Sequence, residues 1–189
     1  MYLIAGCNGA GKTTVANDLL PNYLNCNEFV NADLLAARIN DAAGIISGKR
    51  ALQLMKQSIS KGIDFAVEST LSGLSHKHLI TSAKEQGYEV ILIYVWLATE
   101  EMAIERVKDR VELGGHPIAS DVVRRRYKRG LINLFSVYIW TCDYWAIIDN
   151  SNQPKKIVAE GNSGIDFNVL SSDIWIKMKS KYNEFKNKL

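Results

Sequence analysis

The sequence predicts an α/β fold, with a five-stranded, mainly parallel sheet, helices on both faces and a helical lid. Short apolar runs alternate along the chain with segments of helical periodicity, as they do in a parallel sheet with crossover helices. A glycine-rich turn separates the first apolar run from the first helical segment. The 189 residues suffice for one such domain and are too few for two, so we expect a single domain over residues 1–189.

The glycine-rich turn reads Gly-Cys-Asn-Gly-Ala-Gly-Lys-Thr at residues 6–13, directly after the apolar residues 2–5. This spacing, between a strand and a helix, is that of the phosphate-binding Walker A loop. Its glycines let backbone N–H groups face phosphate oxygens, its lysine reaches the β- and γ-phosphates, and its hydroxyl binds Mg²⁺. The predicted nucleotide-binding residues of the loop are Gly6, Asn8, Gly9, Ala10, Gly11, Lys12, Thr13 and Thr14, with Thr13 as the metal ligand.

The composition, 47% apolar and 23% charged, is ordinary for a globular protein. No apolar run has the length of a membrane span and the first residues do not resemble a secretory leader, so we expect a cytoplasmic protein without a membrane partner. The three cysteines show no C-x-x-C spacing, which argues against a zinc site or a disulfide framework. Cys7 lies near a helix start, where a thiolate is favoured, although an ordinary loop position is the simpler interpretation.

Acidic residues follow the second and third predicted strands. Residues 28–31 form the second strand, and Asp33 lies where a helix begins. Ligands bind outside the carboxyl ends of strands in open α/β sheets, so Asp33 is either a site residue or an ordinary N-cap. After a predicted helix over residues 49–61, the buried strand of residues 64–68 ends in Glu68. In a P-loop protein such a carboxylate commonly holds Mg²⁺, a metal-bound water or a substrate hydroxyl, and the alternative is a solvent-facing strand end.

Two arginine-bearing helices, which begin near Thr99 and Ser120, are separated by Gly-Gly-His-Pro-Ile at residues 114–118. We expect them to form a lid over about residues 106–130. Within residues 106–129 eight basic residues stand against three acidic ones, so this segment carries a net charge of +5 and the rest of the chain −2. Arginine forks suit phosphate oxygens, and such a local excess indicates a small polyanionic ligand rather than a nucleic acid.

The remaining elements complete the sheet. Residues 75–86 predict a helix, residues 89–97 a core strand, and residues 145–149 the fifth strand, which a polar turn follows. We expect a terminal hairpin and helix over about residues 155–189.

The other motifs decide among the P-loop classes. The chain has no Asn-Lys-x-Asp stretch for guanine, so a GTPase is not expected. Residues 71–75 partly match the ABC signature, but they lie too early and lack the acidic strand that should follow. The kinase plan remains: a phosphate loop after strand 1, acids after strands 2 and 3, an arginine lid after strand 4 and a turn after strand 5.

The chain resembles the zeta toxin family of P-loop kinases over residues 1 to about 150. The resemblance rests on Asn-Ala-Asp at residues 31–33, Glu-Ser-Thr at residues 68–70 and, most specifically, the Gly-Gly-His-Pro-Ile segment with its trailing Arg-Arg-Arg-Tyr at residues 124–127. It implies that ATP phosphorylates a small-molecule hydroxyl, which for the known toxins is the 3′-hydroxyl of UDP-N-acetylglucosamine.

The same resemblance implies roles for individual residues. Asp33 would orient or deprotonate the acceptor hydroxyl, and Glu68 and Thr70 would hold the acceptor. The turn of residues 149–154 resembles the adenine-contacting loop of related kinases. The implied catalytic residues are Asp33, Lys12, Arg110 and Arg125 or Arg126, and the nucleotide-binding set gains Arg106 and Asn150.

Three functions remain open. The first is an ATP- and Mg²⁺-dependent kinase of a small hydroxyl-bearing molecule. The second is a kinase of nucleosides or nucleic-acid ends, for which the basic excess speaks, although nucleic acid is not the favoured partner. The third is a nucleotide-dependent binding protein, such as one half of a toxin–antitoxin pair.

Overall fold

The computed structural model of the chain describes residues 1–39, 45–163 and 165–188. The strands are β1 (Tyr2–Ala5), β2 (Glu28–Val30), β3 (Phe65–Ser69), β4 (Ile91–Trp96), β5 (Tyr144–Asp149), β6 (Lys156–Asn162) and β7 (Asp166–Val169). The helices are α1 (Lys12–Asn22), α2 (Ala32–Ile39), α3 (Ile45–Lys61), α4 (Ser75–Glu85), α5 (Glu100–Glu112), α6 (Ser120–Asn133), α7 (Ile139–Thr141) and α8 (Ser172–Lys186). A π-helix, Leu134–Tyr138, joins α6 to α7.

All seven strands form one sheet in the order β2-β3-β1-β4-β5-β6-β7. The pairings among β1 to β5 are parallel, whereas β6 pairs antiparallel with β5 and β7 with β6. The predicted α/β fold with a mainly parallel sheet is confirmed, but the predicted strand count of five is wrong. The terminal hairpin that the sequence indicated continues the sheet from β5, because the outer edge of β5 offers unpaired backbone groups that the hairpin satisfies.

The strand order places helices on both faces of the sheet. The connection from β1 to β2 runs in one direction across the sheet, and those from β2 to β3, β3 to β4 and β4 to β5 run in the other. Since such crossovers are right-handed, α1 lies on one face and the helices from α2 to α7 lie on the opposite face. The first turn of α1 and the ends of β1, β3 and β4 therefore meet at one edge, where the parallel strands end.

The predicted lid segment consists of α5 and α6. The side chain of Thr99 caps α5 by accepting a hydrogen bond from Met102 N at 3.1 Å, as the sequence predicted. Val123 and Tyr127 of α6 are buried, and the Tyr127 hydroxyl donates to the carbonyl of Leu97 at 2.8 Å. The lid segment is thus packed onto the end of β4.

The last helix packs through aromatic residues. Trp175 of α8 stacks on Trp145 of β5 with ring centroids 6.3 Å apart and contacts Phe167 of β7 at 5.5 Å. Lys179 of the same helix lies over an aromatic ring, with its ammonium 4.6 Å from the ring centroid of Phe135. In the described part of the chain, no helix combines the length and the apolar character that crossing a membrane requires.

The β6–β7 hairpin provides a test of the sheet register. Gly161 of β6 lies opposite Phe167 of β7, and a Cβ at Gly161 would overlap the Phe167 Cβ and lie 2.5 Å from the Asp166 carbonyl oxygen. We expect Gly161→Ala to lower the free energy of unfolding by about 1–3 kcal/mol because the strands must separate to accommodate the methyl group. Urea unfolding, followed by circular dichroism, measures this change.

Gly48→Ala is the matched control. Gly48 lies within α3, and an added Cβ meets no atom within 4 Å. Alanine has the higher helix propensity, so this change should raise stability by up to about 1 kcal/mol. A Gly161→Ala variant as stable as the wild type would contradict the register.

Candidate active site

The phosphate loop between β1 and α1 has a backbone that only glycine adopts readily. Gly6, Gly9 and Gly11 have φ angles of 140°, 77° and 86°. A Cβ at Gly6 would overlap the carbonyl oxygen of Val95, and one at Gly9 would lie 2.6 Å from that of Ala103. The loop is therefore packed directly against the end of β4 and against α5, and its glycines are required for close approach as well as for conformation.

Lys12 is folded back over this loop. Its ammonium donates a hydrogen bond to the carbonyl oxygen of Cys7 at 2.9 Å and lies 3.5 Å from Glu68 Oε1. Only 6% of Lys12 is exposed. Among the other predicted loop residues, Ala10 is fully buried and Thr14 is exposed on the first turn of α1.

The Cys7 side chain is buried beneath the loop. Burial raises the pKa of the Cys7 thiol to about 11, and the nearby charge of Lys12 offsets this only in part. The favourable position near a helix start thus does not produce a thiolate, and the simpler interpretation of Cys7 as a loop residue agrees with the geometry.

Glu68 of β3 is the junction of the site. One of its oxygens, Oε2, accepts hydrogen bonds from Thr13 Oγ1 and from Asn31 Nδ2, each at 2.7 Å. Its side chain is 10% exposed. One carboxylate therefore connects the phosphate loop, the end of β2 and the end of β3, and it faces inward rather than to solvent.

The Thr13 hydroxyl and the Glu68 carboxylate fit a Mg²⁺ ion. Both are hard oxygen ligands, they adjoin one another, and Mg²⁺ in nucleotide sites uses one or two such protein groups together with phosphate oxygens and water. No group of three or more His, Cys, Asp or Glu side chains arranged for a metal occurs within the described residues, so an all-protein cage is not found there.

Asn31, the first residue of the Asn-Ala-Asp motif, caps α2 and contacts the candidate site, and the sequence did not indicate either role. Its Oδ1 accepts a hydrogen bond from Leu34 N at 3.1 Å, while its Nδ2 binds Glu68. The N-cap role considered for Asp33 therefore belongs to Asn31. Asp33 is the second residue of α2 and follows the last residue of β2 by three positions. Its side chain lies outside the described part of the structure.

The β3–α4 loop, residues 70–74, carries Thr70. The Thr70 hydroxyl lies 2.9 Å from the Ser72 hydroxyl, and Ser69 Oγ lies 3.3 Å from Nδ1 of His76. Burial lowers the pKa of His76. His76 is half-buried against this end of β3, so the first turn of α4 is not wholly exposed to solvent.

The predicted arginines divide into three groups. Arg126 donates from Nη1 to Asn8 Oδ1 of the phosphate loop at 3.2 Å, and Arg106 donates from Nη2 to the Ser151 carbonyl at 3.2 Å. Arg110 donates to the His116 carbonyl at 2.9 Å and thereby holds the turn between α5 and α6. Its Nε is buried and has no hydrogen-bond partner among the described residues, which leaves a donor for an anion.

Arg125 is exposed and forms no hydrogen bond or ion pair with the described residues of the phosphate loop. The neighbouring Arg124 forms ion pairs with Glu100 at 2.9 Å and with Glu101 at 2.7 Å. The structure thus brings Arg106 and Arg126 to the loop and its neighbouring turn, places Arg110 at the lid turn, and leaves Arg125 in solvent.

The turn after β5 contacts the phosphate loop through a hydrogen bond from Asn150 and stabilises it. Asn150 donates from Nδ2 to the Ala10 carbonyl at 2.8 Å, and its backbone N–H donates to the Trp96 carbonyl at 3.0 Å. Ser151 Oγ donates to Asp149 Oδ1 and accepts from Ala98 N, the latter at 2.8 Å. The sequence indicated Asn150 but missed Ser151, because a serine in a polar turn carries no signal of its own.

The sheet order, the phosphate loop and the arginine-bearing helices that follow β4 define a protein with the P-loop kinase fold. A sequence profile of the Zeta toxin family matches residues 1–137, so the chain belongs to the Zeta toxin family. An uncharacterized protein of Haemophilus influenzae is 37% identical over 126 residues, which are 65% of this chain and 88% of that protein.

Solved structures share the fold at low sequence identity. The AvrRxo1-ORF1:AvrRxo1-ORF2 structure with sulphate ions superposes with a TM-score of 0.76 at 20% identity, over 95% of this chain and 63% of that chain. This chain therefore spans less than two thirds of the length of AvrRxo1. The same complex with ATP gives 0.71. The PezAT chromosomal toxin–antitoxin system of Streptococcus pneumoniae gives 0.61 at 14% identity, over 98% of this chain and 86% of that chain.

Proposed function

We propose that the protein transfers the γ-phosphate of ATP to a hydroxyl group of a small molecule. The observation that carries this proposal is the convergence on Glu68 of Thr13 from the phosphate loop and Asn31 from the end of β2. P-loop NTPases also place a strand-end acid beside the loop to hold Mg²⁺, as Glu68 lies beside Thr13. The additional contact from Asn31 brings the end of β2 to the same point. Here the ends of β2 and β3 supply a second half-site, in which an acceptor hydroxyl would face the γ-phosphate.

The phosphate loop and the turn after β5 form the donor half of the proposed site. Backbone N–H groups of the loop and the start of α1 would hold the phosphates. Lys12 would exchange its contact with the Cys7 carbonyl for phosphate oxygens. Asn150 holds the loop from the side through the Ala10 carbonyl, so the turn after β5 would lie beside the bound nucleotide.

When bound, Mg²⁺ would neutralise charge on the phosphates, with Thr13 and Glu68 supplying its protein oxygens directly or through water. Releasing the Thr13 hydroxyl from Glu68 would free both groups for this role.

The start of α2 and the β3–α4 loop form the acceptor half. Asp33, in the first turn of α2, would orient the acceptor hydroxyl, and the resemblance of its motif to that of the zeta toxin family supports this role. Glu68 and Thr70 lie at the adjoining strand end, where an acceptor would be bound. Phosphoryl transfer through a loose transition state depends mainly on positioning and on neutralising charge, so a carboxylate of ordinary basicity suffices as base.

The arginines that follow β4 would complete the site. Arg126 already touches the phosphate loop, and Arg110 has a buried donor without a partner among the described residues. Both are suited to grip the transferring phosphate. The arrangement disfavours the alternative of an oligonucleotide substrate, because Arg124 and Lys128 of the same basic segment are paired with acidic residues of α5 and do not form a free basic face.

Phosphate transfer can be tested with purified protein, ATP, Mg²⁺ and UDP-N-acetylglucosamine as the first acceptor. We expect one added phosphate on the acceptor by mass spectrometry. Lys12→Ala and Asp33→Asn should each slow transfer by roughly 100-fold or more, since each removes a group that acts on the transferring phosphate or its acceptor.

Lys156→Ala and Asp166→Asn are the matched controls, because both side chains are exposed on the terminal hairpin. Both should transfer phosphate at the wild-type rate. Wild-type transfer rates in Asp33→Asn would refute the role of Asp33. If neither UDP-N-acetylglucosamine nor any component of a bacterial metabolite extract gained phosphate, kinase activity itself would be refuted.

We also propose an antitoxin-type protein partner, since the PezAT structure is described as a toxin–antitoxin system and AvrRxo1-ORF1 as a complex with ORF2. The activity of the free protein would then harm its host. Expression of the wild type in a bacterial host should arrest growth, whereas Lys12→Ala, expressed to the same level, should not. Growth arrest by both proteins would show that the effect does not come from phosphate transfer.

A further inference from the structure

The β3–α4 loop contains a residue in an unfavourable backbone conformation. Leu71 has a φ of 52°, in the left-handed region, which is unfavourable for residues with a Cβ. Its side chain is buried, with only 1% exposed. Such a conformation persists where the surrounding contacts hold it. Ser69 contributes one of these contacts, since its Oγ accepts a hydrogen bond from Leu71 N at 3.1 Å.

The end of α6 contributes the others. Asn133 donates from Nδ2 to the carbonyl oxygen of Leu71 at 2.6 Å. Gly130 lies so close to the loop that an added Cβ would be 2.6 Å from the carbonyl oxygen of Thr70. The helix thus lies directly against the carbonyl groups of Thr70 and Leu71.

The π-helix that begins immediately after Asn133 adds a third contact. The hydroxyl of Tyr138, its last residue, donates to the carbonyl oxygen of Gly73 at 2.9 Å. π-turns are rare and occur frequently at functional sites, where the extra residue redirects a side chain. Here the turn directs Tyr138 to the far end of the same loop.

The face of α6 that holds this loop also touches the phosphate loop. Arg126, Gly130 and Asn133 are separated by four and three residues, so they share one face of the helix. Arg126 contacts Asn8 of the phosphate loop at 3.2 Å, and Asn133 lies about 10 Å further along the axis, given the rise per residue of an α-helix. One rigid helix therefore spans the donor and acceptor halves of the site.

We propose that Asn133 is a positioning residue, which sets the place of Thr70 relative to the transferring phosphate. The proposal rests on the proposed function, in which Thr70 holds the acceptor. Asn133 does not touch either reactant. It fixes the Leu71 carbonyl, and this holds the left-handed turn that orients the Thr70 side chain, while Arg126 on the same helix face anchors the helix to the phosphate loop.

Asn133→Ala tests this role through two measurements. The KM for the acceptor, with UDP-N-acetylglucosamine as the probe, should rise roughly tenfold while the Kd for ATP changes less than about twofold, since the lost hydrogen bond acts only on the acceptor side. Amide hydrogen exchange of residues 70–73 should become roughly tenfold faster, because the loop loses a contact that holds its turn.

Asn22→Ala is the matched control. Asn22 makes a comparable side-chain hydrogen bond, from Nδ2 to the Asp18 carbonyl at 2.9 Å, on the exposed end of α1. It should leave both measurements at wild-type values. Gly130→Ala displaces the same loop through a different contact, so it should reproduce the selective effect on the acceptor KM and on exchange.

Equal weakening of ATP and acceptor binding in Asn133→Ala would overturn the proposal, as would unchanged exchange at residues 70–73. If the wild type transferred no phosphate to UDP-N-acetylglucosamine, that acceptor would be refuted, and exchange alone would decide the role of Asn133. Faster exchange in Asn133→Ala but not in Asn22→Ala would then support it, and equal exchange would overturn it.

Discussion

The hydrogen bonds to the carboxylate of Glu68 are the interaction on which the site depends. A carboxylate that is 10% exposed is unfavourable unless hydrogen bonds and opposite charge compensate for its lost hydration. Thr13 and Asn31 supply the hydrogen bonds and Lys12 supplies the charge at 3.5 Å. Because these partners come from the phosphate loop and the end of β2, the need to satisfy one buried group fixes three segments relative to one another.

The parallel sheet makes this convergence possible, and the helices around it maintain it. In the order β2-β3-β1-β4-β5, the end of β3 lies between the ends of β2 and β1, so a side chain on β3 can reach both. Asn150 supports the phosphate loop from the β5 side, and α6 supports it through Arg126. Lys12 and Thr13 already have partners within the protein, so nucleotide binding must exchange these contacts for contacts with phosphate.

Local sequence patterns predicted most elements of the fold and the glycine-rich loop between β1 and α1, because glycine spacing, strand runs and helix periodicity are local properties. They did not predict that the terminal hairpin extends the sheet, since pairing at a sheet edge depends on distant residues. The contacts of Asn31 and Asn133 were not predicted for the same reason. An asparagine side chain can serve many roles, and only the fold shows that Asn31 binds Glu68 and that Asn133 binds Leu71. Among several arginines, the sequence likewise did not distinguish Arg126, which contacts the loop, from the exposed Arg125.

The metal dependence of ATP binding tests the central role of Glu68 most directly. Isothermal titration of the wild type should show Mg²⁺·ATP binding roughly tenfold or more tighter than metal-free ATP, because the Glu68 carboxylate repels bare phosphates and favours a bound cation. In Glu68→Gln, which removes the charge and keeps the shape, the two affinities should become nearly equal. Glu160→Gln, which alters a carboxylate hydrogen-bonded by Tyr144 on the terminal hairpin, should behave as the wild type. A Glu68→Gln variant that keeps the full preference for Mg²⁺·ATP would contradict the central role of the Glu68 charge in binding the metal beside the phosphate loop.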